Sequence, residues 1–295
     1  MGRAPWMIWV ALATSLAWAN AASSAEPGAG EAYTLRYKFQ VGENLVWKVE
    51  HRARVRTTVS GSTQTADTTS ISTKRWKITA VQPDGKFSFV HSVDYVDMRQ
   101  QMSDREEERF DSRTDKSSPP GFGDVAKAVG VPLTVATLDA RGEVIKREEK
   151  QSQPNAEKGQ MAMLLPEQAV TVGGTWRQPF EIDVAAKDGG MKRIKAQQLY
   201  TLESVANNLA TIRVETQWLT PNSDPAIDAQ LIQRDTSGTV RFDIAAGRLV
   251  WQQTDIDKNI VGFQGDASSM HYTTRFNEEL LPTEAKTAAK PKKAK

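Results

Sequence analysis

The chain has 295 residues, no cysteine, eight tryptophans and a formal net charge of +2. Zero cysteine excludes disulfides, thiol catalysis and thiolate metal sites, so a folded core must supply the stability. The near-neutral total hides a split: the tail from Thr283 to Lys295 carries five lysines against Glu284, and without that tail and Arg3 the body from Ala22 to Pro282 stands at −3. A nucleic-acid binder would set its positive charge on a folded face instead.

The first predicted element is an export signal over residues 1–21. Arg3 supplies a positive n-region, Trp6 to Leu16 an apolar h-region, and Ala19-Asn20-Ala21 a cleavage site of small residues. The apolar run Ala4 to Ala19 is shorter than the ~20 residues a spanning helix needs, and no later stretch approaches that length. The mature chain is therefore expected to start near Ala22, to be periplasmic, cell-surface or secreted, and to hold no transmembrane segment. Residues 22–31 read as a linker.

An N-terminal β module is predicted over residues 32–150. Tyr33, Leu35, Tyr37 and Phe39 alternate with polar residues at the period of a half-buried strand. Val41-Gly42-Glu43-Asn44 turns the chain into a second strand, where Leu45, Trp47 and Val49 share a face. The Ser/Thr-rich run Thr57 to Thr73 reads as the exposed end of a hairpin, with strand signals resuming at Trp76 and Ile78. Pro83-Asp84-Gly85 is a turn, and Phe87, Phe89, His91 and Val93 form the return strand. Beyond a charged stretch, Asp124 to Val129 is predicted as a short helix capped by Asp124. Leu133, Val135 and Thr137, the turn Asp139-Ala140-Arg141-Gly142, and Val144 read as a further hairpin.

Residues 151–168 are predicted as a helical connector: Met161, Leu164 and Leu165 can share a helix face from Asn155 to Leu165, with Pro166 ending it. A C-terminal β module follows over residues 169–282, and the Ala/Lys/Pro-rich tail, residues 283–295, is predicted to be disordered. The second module echoes the first in order. Val41-Gly42 before Trp47 is answered by Val172-Gly173 before Trp176. The hairpin about Pro83-Asp84-Gly85 is answered by one about Asn207-Asn208, and Leu138-Asp139-x-x-Gly142 by Phe242-Asp243-x-x-x-Gly247. The expected fold is mainly β, with antiparallel sheets in two similar modules.

Leu165-Pro166-Glu167 followed by Val172-Gly173-x-x-Trp176, with Phe110-Asp111-Ser112 and the Phe242-Asp243…Gly247 turn, resembles a family of exported bacterial β-rich proteins of unknown function with two similar halves. The resemblance covers most of the mature chain. It implies fold and location and supplies no activity.

Catalytic and cofactor motifs are not found. His51, His91 and His271 have no ligand spacing or oriented partner, there is no Gly-x-Ser-x-Gly elbow, and Gly173-Gly174 and Gly189-Gly190 read as turns. Glu106-Glu107-Glu108 and Glu278-Glu279 read as solvated surface. Asp255-x-Asp257-x-Asn259 with Asp266 has the spacing of a calcium loop, yet Ile260 stands where that loop needs glycine. Trp47, Trp76, Trp176, Trp218 and Trp251 are the candidate ligand-binding residues, with a core role as the competing reading. The expected function is an exported, non-enzymatic binding or structural role without a cofactor, in its preferred form a carrier of lipid or another apolar small molecule. The alternatives are a carboxylate-dependent hydrolase of envelope glycans and a module that meets an anionic envelope surface through the basic tail.

Overall fold

The computed structural model describes residues 30–151, 160–187 and 189–282. The predicted signal, the basic tail, most of the linker and Asn155 to Gly159 of the connector lie outside the described residues. Strand β1 (Ala32–Tyr33) pairs with β8 (Val170–Thr171) in a small antiparallel sheet. The strand predicted to reach Phe39 stops there. Leu35 and Tyr37 are buried as their alternation requires, but the backbone beyond Tyr33 joins turns instead of a ladder. The Tyr37 N–H donates to Ala140 O at 2.8 Å and the Lys38 N–H to Gly247 O at 2.9 Å. Alternation reported which side of the segment is buried, not what it pairs with.

The remaining strands form one antiparallel sheet. Its first half holds β2 (Asn44–Val59), β3 (Ser62–Val81), β4 (Phe87–Met102), β5 (Glu108–Asp111), β6 (Pro132–Leu138) and β7 (Val144–Glu149). Its second half holds β9 (Thr175–Ala185), β10 (Met191–Ala206), β11 (Leu209–Trp218), β12 (Ser237–Asp243), β13 (Arg248–Val261) and β14 (Ser268–Leu280). The spatial order is β7-β6-β4-β3-β2-β14-β13-β12-β11-β10-β9, with β5 branching from β4. The chain leads outward from the centre in the first half and back to it in the second, where β14 pairs with β2 from Ser268↔Val59 to Leu280↔Trp47. The Ser/Thr-rich run is the β2–β3 hairpin, as expected of polar but β-branched residues.

The sheet curls so that inner faces from its two ends meet. Phe87 and Leu138 share one core cluster with Trp176, Leu202, Ile212 and Phe242, and each side chain of this size contributes about 1.5–3 kcal/mol on burial.

The two halves use matching backbone devices. The Gly42 N–H donates to Ile78 O and the Ile78 N–H returns a bond to Glu43 O, both at 2.9 Å. The Gly173 N–H donates to Leu202 O at 2.7 Å and the Leu202 N–H to Gly174 O at 3.0 Å. Bulges follow in step: Thr79 is the extra residue between β3 and β4, and Glu203 between β10 and β11. Ile145 is extra between β6 and β7, and Val250 between β12 and β13. The turns after β6 and β12 both press on the Arg36–Lys38 stretch. A Cβ at Gly142 would stand 2.8 Å from the Tyr37 ring, and one at Gly247 2.7 Å from Arg36 O.

Helix α1 (Gly123–Ala128) lies between β4 and β6, and α2 (Pro225–Leu231) between β11 and β12. The first was expected, but Asp124 does not cap it; it sits in the first turn and pairs with Lys127 at 3.4 Å. The second was missed, although its signal is local: Asp224 accepts from the Ala226 N–H at 3.0 Å and Pro225 opens the helix.

The helical connector is corrected over its described part, where residues 160–165 run as irregular chain. The Leu165 N–H, which a helix would return to Met161 O, goes to Arg141 O at 2.8 Å, and five successive carbonyls hold side chains from elsewhere. Met163 O accepts from the Tyr37 hydroxyl at 3.0 Å, Leu164 O from Trp176 Nε1 at 2.7 Å, and Leu165 O from Arg141 Nε at 3.2 Å. Pro166 O and Glu167 O both receive the Arg36 guanidinium, at 2.7 and 2.5 Å.

Candidate functional site

The curl leaves a cavity of about 300 Å³ beside the main core. The first half supplies aromatic walls. Inward positions on β2 and β3 place Trp47 against Trp76 edge-on, ring centres 5.2 Å apart, and Trp76 stacks on Phe89 at 4.1 Å. Tyr37 and Phe39 enter from the segment between β1 and β2. The second half supplies most of the polar wall: Gln198 on β10, Thr236 before β12, Gln252 and Thr254 on β13, and Glu278 on β14, among Val214, Val240, Leu249 and Phe276. Met161, Ala162 and Met163 of the connector complete it.

Its charges are paired. Lys74 Nζ sits 4.8 Å from the Trp47 ring centre and 5.4 Å from that of Trp76, an arrangement that favours a cation over aromatic faces. It forms an ion pair with Glu278 Oε1, and Gln252 Nε2 donates to Glu278 Oε2. Arg248 Nη1 binds Glu43 Oε1 at 2.5 Å at the rim of the same wall. The Gln198 Nε2 donates to Thr216 Oγ1 at 2.9 Å, while its Oε1 is shut off from solvent without a hydrogen-bond partner. Burial raises the Tyr37 phenol well above its ordinary pKa and pushes Tyr200 up to about 12, so both remain neutral donors.

The five predicted tryptophans do not form one site. Trp47 and Trp76 line the cavity. Trp176 lies behind its wall, stacked on Tyr200 at 5.3 Å with its Nε1 committed to Leu164 O. Trp218 lines a separate recess of about 360 Å³ against α2, with Ile194, Leu231 and Lys258. Trp251 faces outward, 5.1 Å from the Arg241 guanidinium. Val250 is the cause: the extra residue reverses the alternation after Leu249, so Gln252 and Thr254 turn inward and Trp251 does not.

Glu278 corrects a second expectation. It is 2% exposed, whereas its neighbour Glu279 is exposed as predicted. Its shared parity with Phe276 on β14 was the available signal. Glu106, Glu107 and Glu108 are exposed. His51 bonds Thr274 Oγ1 at 2.8 Å, with burial drawing its pKa down. His91 is drawn down to about 4, first by burial and then by Lys74 and Arg147. His271 lies on the surface, 2.7 Å from Asp257. Asp255, Asp257 and Asn259 stand in β13, not in a loop; Arg275 takes Asp255 at 2.7 Å. Among the described residues no group of three or more potential ligands could hold a metal ion, and no helix is long and apolar enough to cross a membrane.

Residues 154–247 match the Family of unknown function (DUF6263), from the connector through the turn after β12. No curated protein matches the sequence. Among solved structures, one described as "Lipid-protein interactions in lipovitellin" is 10% identical, with a TM-score of 0.46, over 86% of this chain and 26% of that one. The chain thus spans about a quarter of that structure's length.

Proposed function

We propose that this is an exported binding protein whose cavity holds an apolar or amphipathic small molecule. The observation that carries the reading is the cavity itself: Trp47, Trp76, Tyr37 and Phe39 on one wall, with a few convergent polar groups opposite, the usual make-up of a ligand site. The hydrolase alternative requires two carboxylates flanking a bond. Among the described residues Glu278 is the one carboxylate in this lining, and it is occupied by Lys74 and Gln252. Export rests on Arg3, the apolar run to Leu16 and Ala19-Asn20-Ala21, and amino-terminal sequencing of the native protein should find a start near Ala22. Descent of the halves from one duplicated module is proposed on the matched turns, bulges and helices. Native mass spectrometry of protein purified from its own host tests the binding role. A retained small molecule that is lost on Trp76→Ala, in a variant that stays folded, is the expected result. Protein that is always empty would overturn it.

A further inference from the structure

Resting on that reading of the cavity, we infer that its ligand is an uncharged amphiphile whose polar end is a hydroxyl or amide, not a carboxylate or an ammonium ion. Among the described residues each charged group of the lining already has its counter-ion: Lys74 has Glu278, and Arg248 has Glu43. A charge brought in by a ligand would be removed from water with no opposite charge free to receive it, which is strongly unfavourable. Displacing one partner of a pair would only transfer the problem to the other.

What the walls still offer is neutral hydrogen bonding. An ammonium has three N–H donors, so Lys74 retains capacity beyond its bond to Glu278. Gln198, Thr236 and Thr254 add neutral amide and hydroxyl groups to the same wall, and each of these groups can donate and accept. A hydroxyl or primary amide both accepts and donates, so it suits all of these groups. A carboxylate accepts only and can use just the donors among them. The size of the cavity limits the rest. At ~30 Å³ for each water's share of the liquid, about 300 Å³ corresponds to a ligand of about ten non-hydrogen atoms, or to one such portion of a longer chain.

The test uses octan-1-ol, octanoate, octylammonium and octane as probes of equal chain length, titrated calorimetrically into purified, ligand-free protein near neutral pH. Octanol should bind at least tenfold more tightly than either ion and several-fold more tightly than octane. Octanoate or octylammonium binding best, or octane matching octanol, overturns the inference and leaves the cavity standing as a site. Failure of all four, octane included, overturns the cavity reading as well. Glu278→Gln exposes the Lys74 charge, so octanoate should gain at least tenfold relative to octanol; an unmoved ratio in the folded variant counts against the argument. Gln198→Leu leaves the ion pair in place and keeps the test available should Glu278→Gln not fold. It should lower octanol affinity toward that of octane, and an unchanged octanol-to-octane ratio overturns the role given to Gln198.

Discussion

At Ile78 in the first half and Leu202 in the second, the backbone makes the same two bonds to the same kind of glycine turn, while the side chains around them are distributed differently. Phe87 stands opposite Leu138 in one half; at the matching positions Ala210 stands opposite Phe242. The ring stands on the neighbouring strand in the second half, and one bulky aromatic fills each pair. Likewise Leu45 opposite Trp76 becomes Trp176 opposite Tyr200, and Trp47 opposite Lys74 becomes Gln178 opposite Gln198. Hydrogen-bonded turns and bulges set the geometry, whereas packing constrains total volume more than identity. The walls can therefore differ on matching backbones, one mainly aromatic and one mainly polar, and the cavity between them is amphipathic.

The largest expected effect breaks this comparison at its packing. Phe87→Ala should cost about 3–5 kcal/mol in urea unfolding, as a buried ring removed from a core that cannot fully collapse. Ala210→Gly at the matching position should cost only about 0.5–1 kcal/mol, from added chain freedom in a strand. Similar costs at the two sites would mean that Ala210 and Phe242 do not share the load as described.

Next come the turns. Gly142→Ala and Gly247→Ala each place a Cβ within 3 Å of the Arg36–Lys38 stretch in a left-handed conformation, and each should cost about 2–4 kcal/mol by adding overpacking to backbone strain. Gly42→Ala and Gly173→Ala keep the left-handed strain, with φ of +86° and +84°, but meet nothing within 4 Å. They should cost about 1–2 kcal/mol. Equal costs at all four positions would show that the Arg36–Lys38 stretch is not held between the two turns.

A smaller effect separates the halves by pH. His91 matches Val214, so only the first half titrates at this position. Its folded pKa of about 4 lies below the ordinary 6.5, so the unfolded chain takes up the proton first as pH falls. The contribution to stability is full above about pH 6.5 and is lost as pH falls toward 4, at up to ~1.4 kcal/mol per pH unit. His91→Val should flatten the unfolding midpoint across that window. Asp111, held down to about 2 by Arg113, loses its contribution only below its ordinary value of 3.8, so the two effects can be told apart. A midpoint that falls as steeply in His91→Val would assign the slope to other groups.

Much of the fold was legible because it is written in local signals. Pro83-Asp84-Gly85, Asn207-Asn208 and the two Asp…Gly turns mark hairpins, and alternation between them marks strands. The errors occurred where a residue's surroundings outweigh its neighbours in sequence. Residues 160–165 carry a helical spacing of apolar residues, yet the Leu165 N–H goes to Arg141 O, and Tyr37 and Trp176 anchor the Met163 and Leu164 carbonyls from distant parts of the chain. The candidate site was half legible. Trp47 and Trp76 follow from alternation alone, but Gln198, Gln252 and Glu278 are polar residues whose inward parity shows only once each strand is registered against its neighbours. Bulges add one residue without any mark in the composition.

Trp251 gives the smallest effect and the sharpest test of that last point. By simple alternation it belongs with Leu249 on the inner face, where a large ring would contribute to the core and the cavity. With Val250 bulged it instead lies outside, opposite Arg241. Trp251 is half-buried on the outer face, and a cation–aromatic contact of this kind is worth about 0.5–1 kcal/mol, so Trp251→Ala should lower stability by about 1 kcal/mol and leave octanol binding unchanged. Trp76→Ala, by contrast, should cost about 3–5 kcal/mol and remove part of the cavity wall. If Trp251→Ala destabilises as strongly as Trp76→Ala, or weakens octanol binding, the bulge does not turn the ring outward. The polar residues Gln252 and Thr254 would then lose their inward positions too, because a single shift of parity places all three.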